Sequence, residues 1–207
     1  MEFNFEGITL SGDLKLVKNS QKLVIFALGS GSSRFSPRNQ FVARKLNESG
    51  IGTLLFDLLT KEEDLEDNIT REHRFNIPLL AKRLVGVTKY IHEKYPDYKI
   101  GLFGSSTGAA AALIASVSLQ GIIYAIVSRG GRADLAEKIL NQVKASTLLI
   151  VGGLDAQVIE MNEFALSKLE CDKKLEVVKG ATHLFEEEGK LEEVTDLTIQ
   201  WMLKYLE

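Results

Sequence analysis

Three hydroxyls stand side by side in Gly104-Ser105-Ser106-Thr107-Gly108, after an apolar run and before Ala109-Ala110-Ala111-Ala112. The pentapeptide fits G-x-S-x-G with Ser106 in the middle. Where a strand turns sharply into a helix, that central serine is held in a strained backbone conformation with its hydroxyl outward. Its flanking residues must then be tiny because neighbouring backbone presses close. The pattern alone is common, and a glycine-rich turn with no catalysis is its plain alternative. In the catalytic reading Ser106 is the nucleophile, Ser105 a turn residue, and Thr107 matters for its backbone amide.

A serine hydroxyl is a weak nucleophile until a base takes its proton, and the base needs an orienting acid. Three histidines are available. His92, in "YIHEKYP", falls near a predicted helix end and reads as a solvated residue. His73 lies in a charged stretch leaving the same sheet edge and competes for the role. His183, in "GATHLF", directly follows the last predicted strand and suits the serine, acid, histidine order that goes with this motif. Asp155, after "LLIVGGL", lies between them at a strand end, whereas Asp134, Glu137 and Glu160 fall within or at the start of predicted helices. A cap or turn role is the alternative for Asp155.

Developing negative charge on a tetrahedral intermediate needs N–H donors. The Thr107 amide is one; the second is expected at Ser30, with Gly31 as fallback, in the small-residue loop Leu28-Gly29-Ser30-Gly31-Ser32-Ser33-Arg34. Arg34, Arg38, Arg129 and Arg132 fall in loops or helix starts at the same edge. Guanidinium groups match carboxylate and phosphate geometry, so Arg34 and Arg129 are candidate contacts for an anionic substrate; internal pairing, for example with Asp57, is the competing reading. Phe35 and Phe185 could wall a pocket or belong to the core.

These residues need a scaffold that gathers strand ends. The pairs "FNFEGITL" and "GDLKLV" alternate in polarity and read as an antiparallel hairpin with a turn at Ser11-Gly12. Residues 23–28, 52–57, 99–104, 122–128 and 146–153 are continuous apolar runs, as expected of parallel strands covered on both faces, and 174–180 adds an edge strand. Helical periodicity falls at Arg38–Glu48, Phe75–Lys94, Thr107–Ser118, Ala133–Val143, Ile159–Leu169 and Leu191–Tyr205. The charge-dense 58–74 reads as a solvated loop that could rim a pocket. The result is an α/β fold: a mostly parallel, eight-stranded sheet with an N-terminal antiparallel hairpin and helices on both faces. Such sheets bind ligands beyond the carboxyl ends of their strands.

Composition narrows the function. A chain of 207 residues fits one domain, 1–207. A net charge of -3, with 25 basic residues scattered among 28 acidic ones, speaks against nucleic-acid binding. No apolar run reaches about 18 residues, so no spanning helix is expected. The start "MEFNFEGITL" lacks the basic and apolar regions of a leader, and the single cysteine, Cys171, suits a reducing compartment; a cytoplasmic location is expected. Gly29-x-Gly31 after a strand, with Asp57 ending the next, suggests a dinucleotide site, but Arg34 occupies the third glycine position and the next helix starts too late.

Together the opening hairpin, "GSGSSRFSPRN", "GSSTGAAAAL", "SRGGRADLA", "VGGLDAQV", "GATHLFEE" and the final helix resemble the α/β-hydrolase superfamily, in particular its small cap-less proteins similar to dienelactone hydrolase. The resemblance covers nearly the whole chain. It implies a Ser106-His183-Asp155 triad, an oxyanion hole from Ser30 and Thr107, and hydrolysis of a small-molecule ester or thioester by a monomer or homodimer without metal or organic cofactor. Dienelactone hydrolases proper carry cysteine where Ser106 stands, so their substrate is not carried over. Leu28-Gly29 replaces the His-Gly often found before the oxyanion loop. Residues 129–145, where a cap usually enters, leave room for one helix. A non-catalytic domain that keeps this fold for a ligand or protein partner is the alternative from another class.

Overall fold

The computed structural model describes residues 1–29 and 32–207. β1 (Glu2–Phe5) and β2 (Ile8–Lys15) form an antiparallel hairpin. Glu6 and Gly7, at φ 48° and 85°, supply the left-handed pair that a two-residue hairpin turn needs. The expected turn at Ser11-Gly12 is therefore misplaced: β2 runs straight through it. Gly12 serves close packing instead, because a Cβ there would lie 2.8 Å from Phe56 Cβ and 2.9 Å from the Phe3 ring.

The remaining strands are β3 (Lys22–Ala27), β4 (Gly52–Phe56), β5 (Lys99–Ser105), β6 (Ile123–Arg129), β7 (Ser146–Gly152) and β8 (Lys173–Val178). They complete one eight-stranded sheet in the order β1-β2-β4-β3-β5-β6-β7-β8. β2 meets β4 antiparallel, and every pairing from β4 to β8 is parallel. The apolar runs are explained by their place: Leu23 to Ala27 and Gly52 to Phe56 are buried throughout, with layers on both sides.

The first five α-helices are α1 (Pro37–Glu48), α2 (Lys61–Thr70), α3 (Ile77–Lys94), α4 (Thr107–Ser118) and α5 (Ala156–Lys168); α6 (Lys190–Tyr205) ends the fold. One core joins α3, α4 and α5 to the sheet through Leu80, Leu84, Val87, Ala110, Leu113 and Ala165. The opposite core is closed by α1 and α6, through Val42, Leu46, Val194 and Met202 packed on Val24, Phe26, Phe103 and Val127. The segment expected as an α-helix at 133–143 is 3₁₀, Ala133–Gln142.

The larger departure lies in 58–74, which is not simply a loop. Thr60 Oγ1 accepts from Glu63 N–H at 3.3 Å and Glu63 Oε2 accepts from Thr60 N–H at 2.9 Å, a reciprocal cap that starts α2. Arg71, at φ 62°, ends it. Leu65 and Ile69 are exposed, so α2 has no buried apolar stripe to betray it in the sequence. It is anchored by charge: Arg83 of α3 grips Glu63 through two bonds of 2.6 Å, and Arg74 Nε donates to Asp67 at 2.5 Å. No helix among the described residues is long and apolar enough to cross a membrane.

Candidate active site

β5 delivers the G-x-S-x-G turn to the carboxyl edge of the sheet, and α4 departs from it at once. Ser106 sits between them at φ 49° and ψ -123°, a conformation that few non-glycine residues adopt. Both flanking glycines are required by space. A Cβ at position 104 would lie 2.5 Å from Ala109 Cα, and one at position 108 would lie 2.1 Å from Ala27 O. Ser106 N–H donates to Arg129 O at 3.3 Å, and Ser106 O accepts from Ala109 and Arg132 N–H, so neighbouring strand and helix hold the turn.

Asp155 and His183 come from the turns after β7 and β8, and their loops are stitched together. Gly153 N–H donates to Val178 O and Leu154 N–H to Ala181 O, each at 2.9 Å. Asp155 caps no helix with its side chain, although it precedes α5; instead its Oδ2 accepts from His183 Nδ1 at 2.7 Å. A carboxylate can only accept, which places the imidazole proton on Nδ1 and leaves Nε2 as the basic nitrogen. Gly130, at φ 52°, lies beneath the imidazole: a Cβ there would stand 3.4 Å from His183 Cε1. Among the described residues no hydrogen bond joins Ser106 Oγ to His183. Such catalytic contacts are often long before substrate arrives. The competing His73 lies 3.2 Å from Glu66 on α2 and takes no part in the Asp155 pair.

The loop after β3 lies against the serine. Gly29 N–H donates to Ser105 Oγ at 3.1 Å, and a Cβ on Gly29 would come within 2.9 Å of Ser106 Cβ. Ser105 is thus more than a turn residue, since its hydroxyl ties this loop to the end of β5. The donor expected at Ser30, and its fallback Gly31, lie outside the described residues. Thr107 opens α4, is buried, and lines a cavity of about 290 Å³ together with Leu28, Gly29, Leu58, Leu59 and Leu80.

No protein-family model matches this sequence. A dienelactone hydrolase from Anabaena variabilis of known structure shares 47% identity, at a TM-score of 0.97, over 100% of this chain and 97% of that one. The chain belongs to the dienelactone-hydrolase-like α/β-hydrolases. Two more distant structures share the fold. Est1E from Butyrivibrio proteoclasticus has 19% identity, TM-score 0.82, covering 99% of this chain and 97% of that one. An α/β serine hydrolase without a lid from Xanthomonas campestris has 20% identity, TM-score 0.76, covering 99% and 92%. Proteins from two strains of Mycobacterium tuberculosis, named as candidate phosphoribosyl transferases, are 46% identical over 96% of this chain, which spans 44% of their length.

Within this α/β-hydrolase the structure shows, for Arg34 and Phe185, the competing readings that the sequence left open: internal pairing with Asp57 and a place in the core. Arg34 lines the cavity but is engaged by its own protein: its side chain pairs with Asp57 and with Asp13, and its N–H donates to Asp57 Oδ1 at 2.8 Å. Phe35, not Phe185, is the aromatic of the rim; Phe185 is buried in the α1/α6 core. Arg129 is 8% exposed, donates to Asn39 Oδ1 at 3.2 Å and is not among the residues that line the cavity. Asn39, fully buried on α1, has no feature in the sequence that distinguishes it from a solvated helix residue. The polar side of the cavity is completed by Thr60, Lys61, Asp64, Asp67 and Arg74, so α2 forms one wall.

Proposed function

We propose that this chain is a serine hydrolase that cleaves carboxylic esters or thioesters of a small molecule through an acyl-enzyme. The observation that carries the reading is Ser106, held at a backbone conformation that costs on the order of 1–3 kcal/mol, at the same sheet edge as the hydrogen-bonded Asp155–His183 pair. Strain of that size persists where the surrounding structure enforces it, and the glycine contacts at 104 and 108 do so.

In the reaction, Ser106 Oγ attacks the acyl carbon while His183 Nε2 takes its proton. Asp155 holds the ring and stabilises the imidazolium that forms. The carbonyl oxygen becomes an oxyanion that receives hydrogen bonds from Thr107 N–H and from the β3–α1 loop, where Ser30 is assigned on sequence. His183 returns its proton to the departing alcohol or thiol. It then takes a proton from water, whose oxygen attacks the acyl carbon, and the collapse of the second intermediate restores Ser106 and frees the acid.

The acyl group is assigned to the cavity beside Thr107, whose Leu28, Leu58, Leu59 and Leu80 side chains favour a short apolar chain. Asp57 and Asp13 already compensate Arg34, and Asp67 compensates Arg74, which supports a neutral rather than an anionic acyl group. The phosphoribosyl transferase name describes proteins of which this chain spans 44%, and no step of that chemistry is assigned to it.

Fluorophosphonate labelling tests the reading. Folded wild type should form an adduct on Ser106 and hydrolyse p-nitrophenyl acetate, and Ser106→Ala should do neither. An unlabelled, inactive wild type would establish the non-catalytic alternative.

A further inference from the structure

The catalytic reading leaves the buried charge of Arg129 unused. Arg129 ends β6 beside the nucleophile strand, in register with Ser105, and its guanidinium lies over the Phe103 ring at 5.6 Å. Among the described residues it has no carboxylate partner, and Nη1 has no hydrogen-bond partner. Burial, and then the nearby Arg38, bring its pKa down to about 10, so it stays charged at neutral pH. An uncompensated buried cation costs stability, and its presence calls for another account.

That account lies in what the guanidinium holds. Nη2 donates to Asn39 Oδ1 at 3.2 Å; Asn39 Nδ2 in turn donates to Ser32 Oγ at 2.9 Å and lies 3.5 Å from Ser33 O. The amide orientation follows from its partners, because arginine can only donate and a carbonyl can only accept. Ser32 N–H donates to Gly29 O at 3.1 Å, and Gly29 is fastened to Ser105. The loop after β3 is thus held at both ends, by Ser105 on one side and by Asn39 on the other. The main chain of Arg129 meets the same machinery, since its carbonyl accepts from Ser106 N–H and Gly130 underlies His183.

We infer that Arg129 and Asn39 are positioning residues for hydrolysis: the buried guanidinium orients the Asn39 amide, which holds Ser32 and, through it, Gly29, the two ends of the loop to which the second oxyanion donor is assigned on sequence, against Ser105 and Ser106. This rests on the serine-hydrolase reading. The arrangement acts on the transition state and leaves ground-state binding alone, so its loss should lower kcat and spare KM.

The test compares wild type, R129M, R129K and N39D, each with kcat and KM on p-nitrophenyl acetate and a thermal midpoint. In R129M, kcat should fall roughly tenfold to a hundredfold, as for small misplacements of catalytic groups, with KM within about twofold. Its thermal midpoint should hold or rise, because the unpaired charge is gone. R129K should recover part of the loss, since one ammonium donor can serve Asn39 Oδ1. N39D is decisive: it gives Arg129 a carboxylate, and although the Ser32 hydroxyl can turn to donate to it, the carboxylate cannot donate to Ser33 O and sets an oxygen against that carbonyl instead. The fold should then be at least as stable and kcat should still fall about tenfold. A merely structural role predicts the reverse, an N39D enzyme with wild-type kcat, and that result overturns the inference even if R129M fails to fold. A wild type that neither turns over ester nor labels at Ser106 instead removes the hydrolase reading, and this inference with it.

Discussion

Asp155 Oδ2 lies 2.7 Å from His183 Nδ1, and that one bond determines which ring nitrogen is basic. Asp155→Asn should therefore lower kcat by roughly 10⁴-fold while the thermal midpoint barely moves, because an amide can donate to Nδ1 and stabilise the wrong tautomer. His183→Ala should abolish ester hydrolysis; His73→Ala should leave it near wild type, as that ring belongs to Glu66 on α2. Steady-state rates on one chromogenic ester decide both, and the opposite pattern would transfer the base role to His73. Gly108→Ala reads out the turn itself. Its Cβ would meet Ala27 O at 2.1 Å, a contact with backbone that no side-chain rotation relieves, so urea unfolding should show a loss of about 3 kcal/mol or more.

At the scale of elements, α2 is attached by ion pairs where the other helices use apolar stripes. Glu63 is held below the ordinary carboxylate range by its hydrogen bonds from Arg83, which outweigh the burial that would raise it. Burial would likewise raise Asp67, but its bonds from Arg74 hold it low. Both folded values are depressed, so the stabilisation is complete above the unfolded carboxylate values of about 4 and is lost as pH falls through the folded ones. Proteolysis within 61–70 should accelerate as pH is lowered from about 6 to below about 4, and Glu63→Gln should make the segment labile already at neutral pH. Unchanged cleavage across that range would show that the ion pairs do not hold the helix. Thr60→Ala should cost α2 about 1 kcal/mol, visible as faster hydrogen exchange in its first turn.

The whole molecule leaves its site without a large cap, walled on one side by α2. Each methylene of an acyl chain that enters the cavity gains about 0.8 kcal/mol, roughly fourfold in kcat/KM, and each one left in water gains nothing. A series of p-nitrophenyl esters should therefore show kcat/KM rising with chain length until the cavity of about 290 Å³ is filled, then levelling. A steady rise through long chains would place the acyl group elsewhere, for instance along the exposed apolar residues Leu65 and Ile69. The chain spans 44% of the length of its mycobacterial relatives and itself folds around one sheet and two cores.

Much of this fold is legible in the sequence alone. Continuous apolar runs mark strands buried on both faces, and small residues at Gly104, Gly108 and Ala109–Ala112 mark where backbone must pass close; both are local consequences of packing that composition records directly. A serine, an acid and a histidine beyond the ends of β5, β7 and β8 could be read as one group because a parallel sheet brings such ends to one edge. The sequence was silent where long-range charge does the work. α2 is built on Glu63–Arg83 and Asp67–Arg74 instead of periodic burial, and its reciprocal cap at Thr60 and Glu63 was the one local sign. Arg129 and Asn39 are 90 positions apart, and no local pattern tells a guanidinium buried under a loop from one waiting for substrate. The sequence by itself determined the sheet, its layers and the residue types available for chemistry. Only the tertiary structure decided which charges are already paired, because pairing depends on distances between segments that periodicity does not encode.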